Sequence, residues 1–145
     1  MTVCNQCSEC GAQFEDPADS CVSRFEGLLA LDHSRQEPWG SRHGQAFAAF
    51  ALEHPIRHAV SLDAAWTGLY RVYVFRQSAL HVFTSIRKLG PLGARDGVPP
   101  RPARPLARPS ITIADLEDFA AETYATRLDA WCRSALAAWG ARSEP

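Results

Sequence analysis

Residues 4–11 read CNQCSECG, three cysteines at a CxxCxxC spacing with a glycine behind the last. The spacing is too short for ordinary disulfide pairing among them. The stretch to residue 19 adds turn signals at Gly11, Asp16, Pro17 and Asp19 and no apolar periodicity. Such a head has too little periodicity for a helix or strand of any length and reads as a loop that something must pin down. Cys7, Cys10 and Gly11 form CxxCG, in which two thiolates three residues apart grip one Zn²⁺ through a tight turn. The glycine admits the backbone conformation that follows the second sulfur. Cys4 and Cys7 share the spacing but lead into Ser8, which makes them the weaker pair. The chain has five cysteines, an odd number, and in a reducing cytosol crowded thiols more often bind metal than pair. A CxxC supplies only half of a site.

The other half is expected from two short helices. Ser20 is a candidate N-cap for CVSRFEGLLALD, where Cys21, Phe25, Leu28 and Asp32 step by four, three and four along one face. HSRQEPWGSR, with Pro38 and Gly40, reads as a connection, after which Ser41 is a candidate cap. In SRHGQAFAAFALEHP the alanines favour helix, and His43, Phe47, Phe50 and His54 repeat the same steps until Pro55 stops them. Folded as an antiparallel hairpin, the two faces pair Cys21 with His54, Phe25 with Phe50, Leu28 with Phe47, and Asp32 with His43.

The two ends of that hairpin carry different chemistry. His43 and His54 are eleven residues apart, roughly 16 Å along a helix at 1.5 Å per residue, and cannot share one metal. Cys21 and His54 share an end, and the ten residues between Cys10 and Cys21 can carry the CxxC turn to it. Cys7, Cys10, Cys21 and His54 are thus the expected Cys₃His donors, with His43 as the alternative fourth ligand if the hairpin runs the other way. The Asp32 and His43 rung reads first as two polar groups satisfying one another and second as a carboxylate orienting an imidazole for chemistry. His33, His58 and His81 read as surface residues, and Cys132, beside Trp131, as packing.

A third helix is expected in SLDAAWTGLYRVYVFRQ, although YRVYVF also suits a strand. A fourth is expected in SALHVFTSIRKL, ending against Gly90. Residues 91–109, PLGARDGVPPRPARPLARP, hold six of the ten prolines and four arginines. They cannot be helix or central strand. A connector lying on its own domain is favoured over a polyproline ligand for another protein. From Thr112, TIAD resembles a capping box, and Leu116, Phe119, Tyr124, Leu128, Trp131, Ala135 and Trp139 form an apolar stripe over 112–139, with a break near Ala120.

The combination of C7xxC10G, Cys21 leading into Phe25, Leu28 and Leu29 with an acid at Asp32, then His43 and a helix closing on LEHP resembles an uncharacterised bacterial family of small proteins of unknown function. The family pattern is CxxCG, a third Cys before FxxLL and an acid, then a His and a helix ending LQHP. TIADLEDFAAETYATRLDAW extends the resemblance over most of the chain. Glu53 stands where the family has Gln, Asp32 where it has Glu, and Cys4 falls outside the pattern. The resemblance marks Cys7, Cys10, Cys21, His43 and His54 and implies no activity.

The expectation is one mainly α domain of 145 residues, a small helical bundle with an N-terminal zinc knuckle over residues 1–19. A formal charge of −1 and few basic residues near the cysteines argue against nucleic acid. No stretch approaches the ~20 apolar residues that span a bilayer, and the polar N-terminus lacks the layout of a signal peptide, so the expected setting is soluble and cytoplasmic. Four protein ligands close a zinc site against bound water, which points to a structural metal and a protein or small ligand as partner. A zinc-dependent hydrolase with an open metal position and Asp32 or His43 in acid–base roles is the alternative.

Overall fold

The computed structural model describes residues 5–142; Cys4 lies outside them. The head is a two-stranded antiparallel ribbon, β1 (Asn5–Gln6) and β2 (Gln13–Phe14), in the register Asn5 to Phe14 and Gln6 to Gln13. Five helices follow: α1 (Cys21–His33), α2 (His43–Glu53), α3 (Leu62–Tyr73), α4 (Ala79–Gly93) and α5 (Ala121–Ala138). The fold is mainly α, with the cysteine-bearing ribbon at its N-terminal end.

α1 starts where Ser20 caps it. The Ser20 side chain accepts from the Ser23 N–H, and Ser23 reaches back to the Ser20 backbone, closing a capping box. Ser41 does not cap α2. Its amide and hydroxyl both donate to the Glu37 carboxylate, and a 3₁₀ turn over Gly40–Arg42 leads into the helix instead. α1 and α2 form the antiparallel hairpin, so the alternative direction that would have made His43 a ligand does not occur. Phe25 and Phe50 stack at 4.0 Å between ring centroids, and His43 Nδ1 lies 2.9 Å from Asp32 Oδ2 at the other end.

α3 is shorter than its apolar pattern. The Tyr70 carbonyl accepts from both Val74 and Phe75, and Arg76 takes a left-handed φ of 58°, so the chain turns where YRVYVF could have continued as helix or strand. α4 begins at Ser78, whose side chain accepts from the His81 N–H, and its regular part ends at Gly90, with φ 74°. A further turn through Pro91 to Gly93 follows that break. α4 reaches α2 and α3 through Phe83. A Cβ at Gly44 or Gly68 would come within 2.6 or 2.4 Å of the Phe83 ring, so both glycines are needed for this close approach.

The stripe over 112–139 is split. Thr112 and Asp115 form the expected capping box on a 3₁₀ turn, Ile113–Leu116, and then Glu117 and Phe119 take left-handed φ values of 54° and 59° before α5 begins. The break lets Phe119 turn inward while α5 lays Tyr124, Leu128, Trp131 and Ala135 against the core. Burying a tryptophan requires a partner for its N–H. All four have one: Trp39 donates to Phe119 O, Trp66 to Pro99 O, Trp131 to Glu53 Oε1 and Trp139 to Leu52 O, at 2.8–2.9 Å.

The proline-rich segment lies on its own domain. Leu106 and Ala107 both donate backbone hydrogen bonds to the Ala138 carbonyl, Arg101 pairs with Asp63 at 2.9 Å, and the Arg101 guanidinium covers the Trp139 ring. No helix among the described residues is long and apolar enough to cross a membrane.

Candidate metal centre

Cys7 and Cys10 sit on the turn between β1 and β2. Cys7 N donates to Ala12 O and Gly11 N to Cys7 O, folding the loop back so that both thiols face the same way. Gly11 has φ 83°, a left-handed conformation that an L side chain resists. The Arg108 guanidinium occupies the space where its Cβ would stand. Arg108, from the proline-rich segment, thus backs the turn, a contact that no spacing in the sequence announces.

Cys21 is the first residue of α1, where unsatisfied N–H groups and the positive end of the helix dipole favour a thiolate. His54 terminates α2 before Pro55 can enter it. Its Nδ1 is 2.7 Å from the Phe50 carbonyl oxygen. A carbonyl only accepts, so Nδ1 carries the proton and Nε2 holds the lone pair. The imidazole also stacks on Phe50 at 4.0 Å, and Phe50 stacks on Phe25 in turn, so an aromatic column fixes the ring plane.

These four side chains converge. One donor atom from each of Cys7, Cys10, Cys21 and His54 lies within 4.8 Å of all the others, and Cys10 Sγ and Cys21 Sγ are 3.5 Å apart. A tetrahedral Zn²⁺ with Zn–S bonds of about 2.3 Å would set sulfurs roughly 3.8 Å from one another, so the set needs only a small adjustment to close on an ion. Cys10, Cys21 and His54 are buried and Cys7 is partly exposed. Among the described residues His54 Nε2 is buried with no hydrogen-bond partner, a costly state for a polar atom unless something binds it.

The thiols behave as a set short of positive charge. The hydrogen bond with Cys21 pulls Cys10 down to about 4 against the opposing effect of burial, with His54 and the Ala12 backbone assisting. Cys21 is pushed strongly up by the same hydrogen bond, then by burial and by the charges of Cys10 and Cys7. One proton shared between two sulfurs does what a dication would do better. The donors present fit a bound divalent metal.

Glu53, adjacent to His54, is 3% exposed. Its Oε1 accepts from Trp131, its Oε2 has no hydrogen-bond partner among the described residues, and burial holds the carboxyl well above the usual carboxylate range, with the Cys10, Asp115 and Cys7 charges adding to that. A protonated Glu offers one acceptor and one donor, as Gln does. The difference from the LQHP pattern is therefore chemically small. The periodicity of α2 gave no warning of this residue, because Glu53 lies off the Phe50–His54 face.

His43 is not in this cluster. It stays with Asp32 at the far end of an unbroken α2. His58 is half-buried rather than on the surface, its ring edge-on to Phe47 and Phe50 at 5.6 and 5.4 Å, and desolvation pushes it below its ordinary range. His33 and His81 are exposed. Cys132 is fully buried, its thiol 3.6 Å from the Gln45 carbonyl and pushed up by burial.

A family model described as a family of unknown function, DUF5946, matches residues 5–140. Neither the curated proteins nor the solved structures contain a match to the chain. The chain belongs to this family of unknown function.

Proposed function

We propose that this member of a family of unknown function holds one structural Zn²⁺ on Cys7, Cys10, Cys21 and His54, and that it acts as a module binding another protein or a small ligand. The observation that carries the reading is the buried Nε2 of His54, without a hydrogen-bond partner among the described residues and within reach of three sulfurs. Three soft thiolates and one imidazole in a compact set suit zinc better than calcium or magnesium, which take oxygen. The metal would tie the β1–β2 turn to both helices of the α1–α2 hairpin at once, ordering a head that has almost no core of its own. Four protein donors leave no position for an activated water. Free thiols in such a set fit a reducing compartment such as the cytoplasm.

The second reading is a zinc-dependent hydrolase, and the Asp32–His43 hydrogen bond is the observation that favours it. Against it, α2 holds that pair roughly 16 Å from the His54 end, so it cannot act directly at the metal. X-ray absorption at the zinc edge distinguishes the two. The structural site predicts about three sulfurs near 2.3 Å and one nitrogen near 2.0 Å, and an added oxygen or a sulfur count below three favours the hydrolase.

A further inference from the structure

The Asp32 and His43 end of the hairpin opens on a cavity of about 710 Å³ enclosed by α1, α2, α3 and α4. That volume is in the range of small-molecule sites, roughly 300–1,000 Å³. The apolar part of its lining includes Phe47, Leu80, Phe83 and Ile86, and the polar part includes Arg35, His43 and Arg87.

Three features distinguish it from an accidental gap. The Asp32 side chain has no solvent exposure, yet its His43 partner is 42% exposed. Burying a carboxylate is costly, and here one oxygen, Oδ1, has no hydrogen-bond partner among the described residues. What the arrangement secures is the orientation of His43: Nδ1 is held by Asp32, and Nε2 remains for a ligand. The second feature is Phe83, whose ring lies against the backbones of α2 and α3 because Gly44 and Gly68 have no Cβ. This gives the cavity a flat aromatic wall. The third is charge. Asp32 is the one carboxylate in the lining and it is engaged by His43. Arg35 and Arg87 have no carboxylate partner among the described residues; Arg87 reaches only Thr84 Oγ1, at 3.5 Å. Arg35 is also held at φ 61°, an uncommon conformation for a residue with a Cβ. The lining is aromatic with an excess of positive charge.

We propose that this cavity binds a small organic anion, a carboxylate or phosphate carried on an apolar body of about one or two rings. Arg35 and Arg87 pair with its charge, Phe47 and Phe83 take its body, and His43, when its ring carries both protons, donates its Nε2–H to the anion while Nδ1 stays with Asp32. This gives a ligand class to the ligand-binding half of the function proposed above and rests on that half alone, since none of these residues is a metal donor.

The test is an amide-shift titration of the ¹⁵N-labelled, zinc-loaded full chain with 1-naphthoate, with phenyl phosphate, and with neutral 1-naphthalenemethanol. Saturable shifts at Ser41, His43, Gly44, Phe83 and Arg87 with an anion, and weaker binding of the alcohol, are the expected result. Naphthoate against phenyl phosphate tells carboxylate from phosphate. The double variant Arg35→Gln, Arg87→Gln changes two exposed side chains, so the fold survives, and it should weaken the bound anion about tenfold while leaving the alcohol unchanged. No saturable shift with either anion overturns the proposal. So does equal binding of the alcohol, or a double variant that binds the anions as its parent does. Zinc content read on the same samples separates the two readings: intact zinc without anion shifts overturns this proposal alone, and anion shifts in a chain that holds no zinc overturn the metal alone.

Discussion

Replacing Phe50 by leucine tests whether the aromatic column supports the metal site. Phe50 is 1% exposed and lies between Phe25 and His54, each at 4.0 Å between centroids with interplanar angles of 8° and 24°. An aromatic pair contributes about 0.5–1.5 kcal/mol beyond its buried area, so losing two such pairs should cost about 1–3 kcal/mol. The smaller leucine adds a cavity cost that favours the upper part of that range. The Phe50 carbonyl that accepts from His54 Nδ1 is backbone and survives, so the ring keeps its tautomer while losing its stacking surface. Zinc affinity should therefore fall by roughly tenfold, the lower end of what loss of a supporting group costs a metal site. Phe25→Leu removes one of the two stacks without touching His54, and should lower stability with a smaller effect on zinc. Urea denaturation at fixed free zinc gives the stability, because zinc itself shifts the equilibrium, and competition with a chelator gives the affinity. A Phe50→Leu chain within about 0.5 kcal/mol of its parent and equal in zinc affinity would refute the argument.

Two further outcomes follow from the same geometry. Glu53→Gln should stabilise the chain increasingly as pH rises. The folded carboxyl lies above its ordinary value of 4.5, so the native state keeps a proton that the unfolded state loses. Above that value the parent then loses up to about 1.4 kcal/mol per pH unit until the folded carboxyl itself ionises, and the variant does not. Burial, the largest cause, persists whether or not the thiols are neutralised by metal. Parallel unfolding curves from pH 5 to 8 check this, and a gap between parent and variant that does not widen with pH contradicts it. Gly11→Ala should cost about 1–2 kcal/mol, because the residue is held at φ 83°, and should lower zinc affinity with it; thermal unfolding with and without chelator reads both effects.

The hairpin was legible because its two faces repeat the same steps, and residues at those steps must share a side of a helix. The repeat pairs Phe25 with Phe50 and Asp32 with His43 once the helices run antiparallel, and the convergence of Cys21 and His54 is a consequence of the same alignment. The helix ends were harder. Ser41 has the chemistry of a cap, but Glu37 outcompetes the helix for its hydrogen bonds, and that competition depends on how the preceding turn folds. The partition of 112–139 turns on left-handed residues at Glu117 and Phe119, neither of which is a glycine that would signal it. Arg108 behind Gly11 and Phe83 between Gly44 and Gly68 are contacts across long sequence separations. The anion cavity is a space among four helices, and spacing along one helix cannot report it. Glu53 had a local signal, its departure from the LQHP pattern, but its burial comes from α5 through Trp131.

The central claim is that the cysteine-rich turn is one half of a single zinc site. Native mass spectrometry of the purified chain and its Cys7→Ser variant measures it most directly, because Cys7 is the least buried of the four donors and its loss disturbs packing least. The account predicts about one zinc per chain in the parent, as a four-ligand site requires, and none retained in the variant. Full zinc occupancy in Cys7→Ser would contradict it.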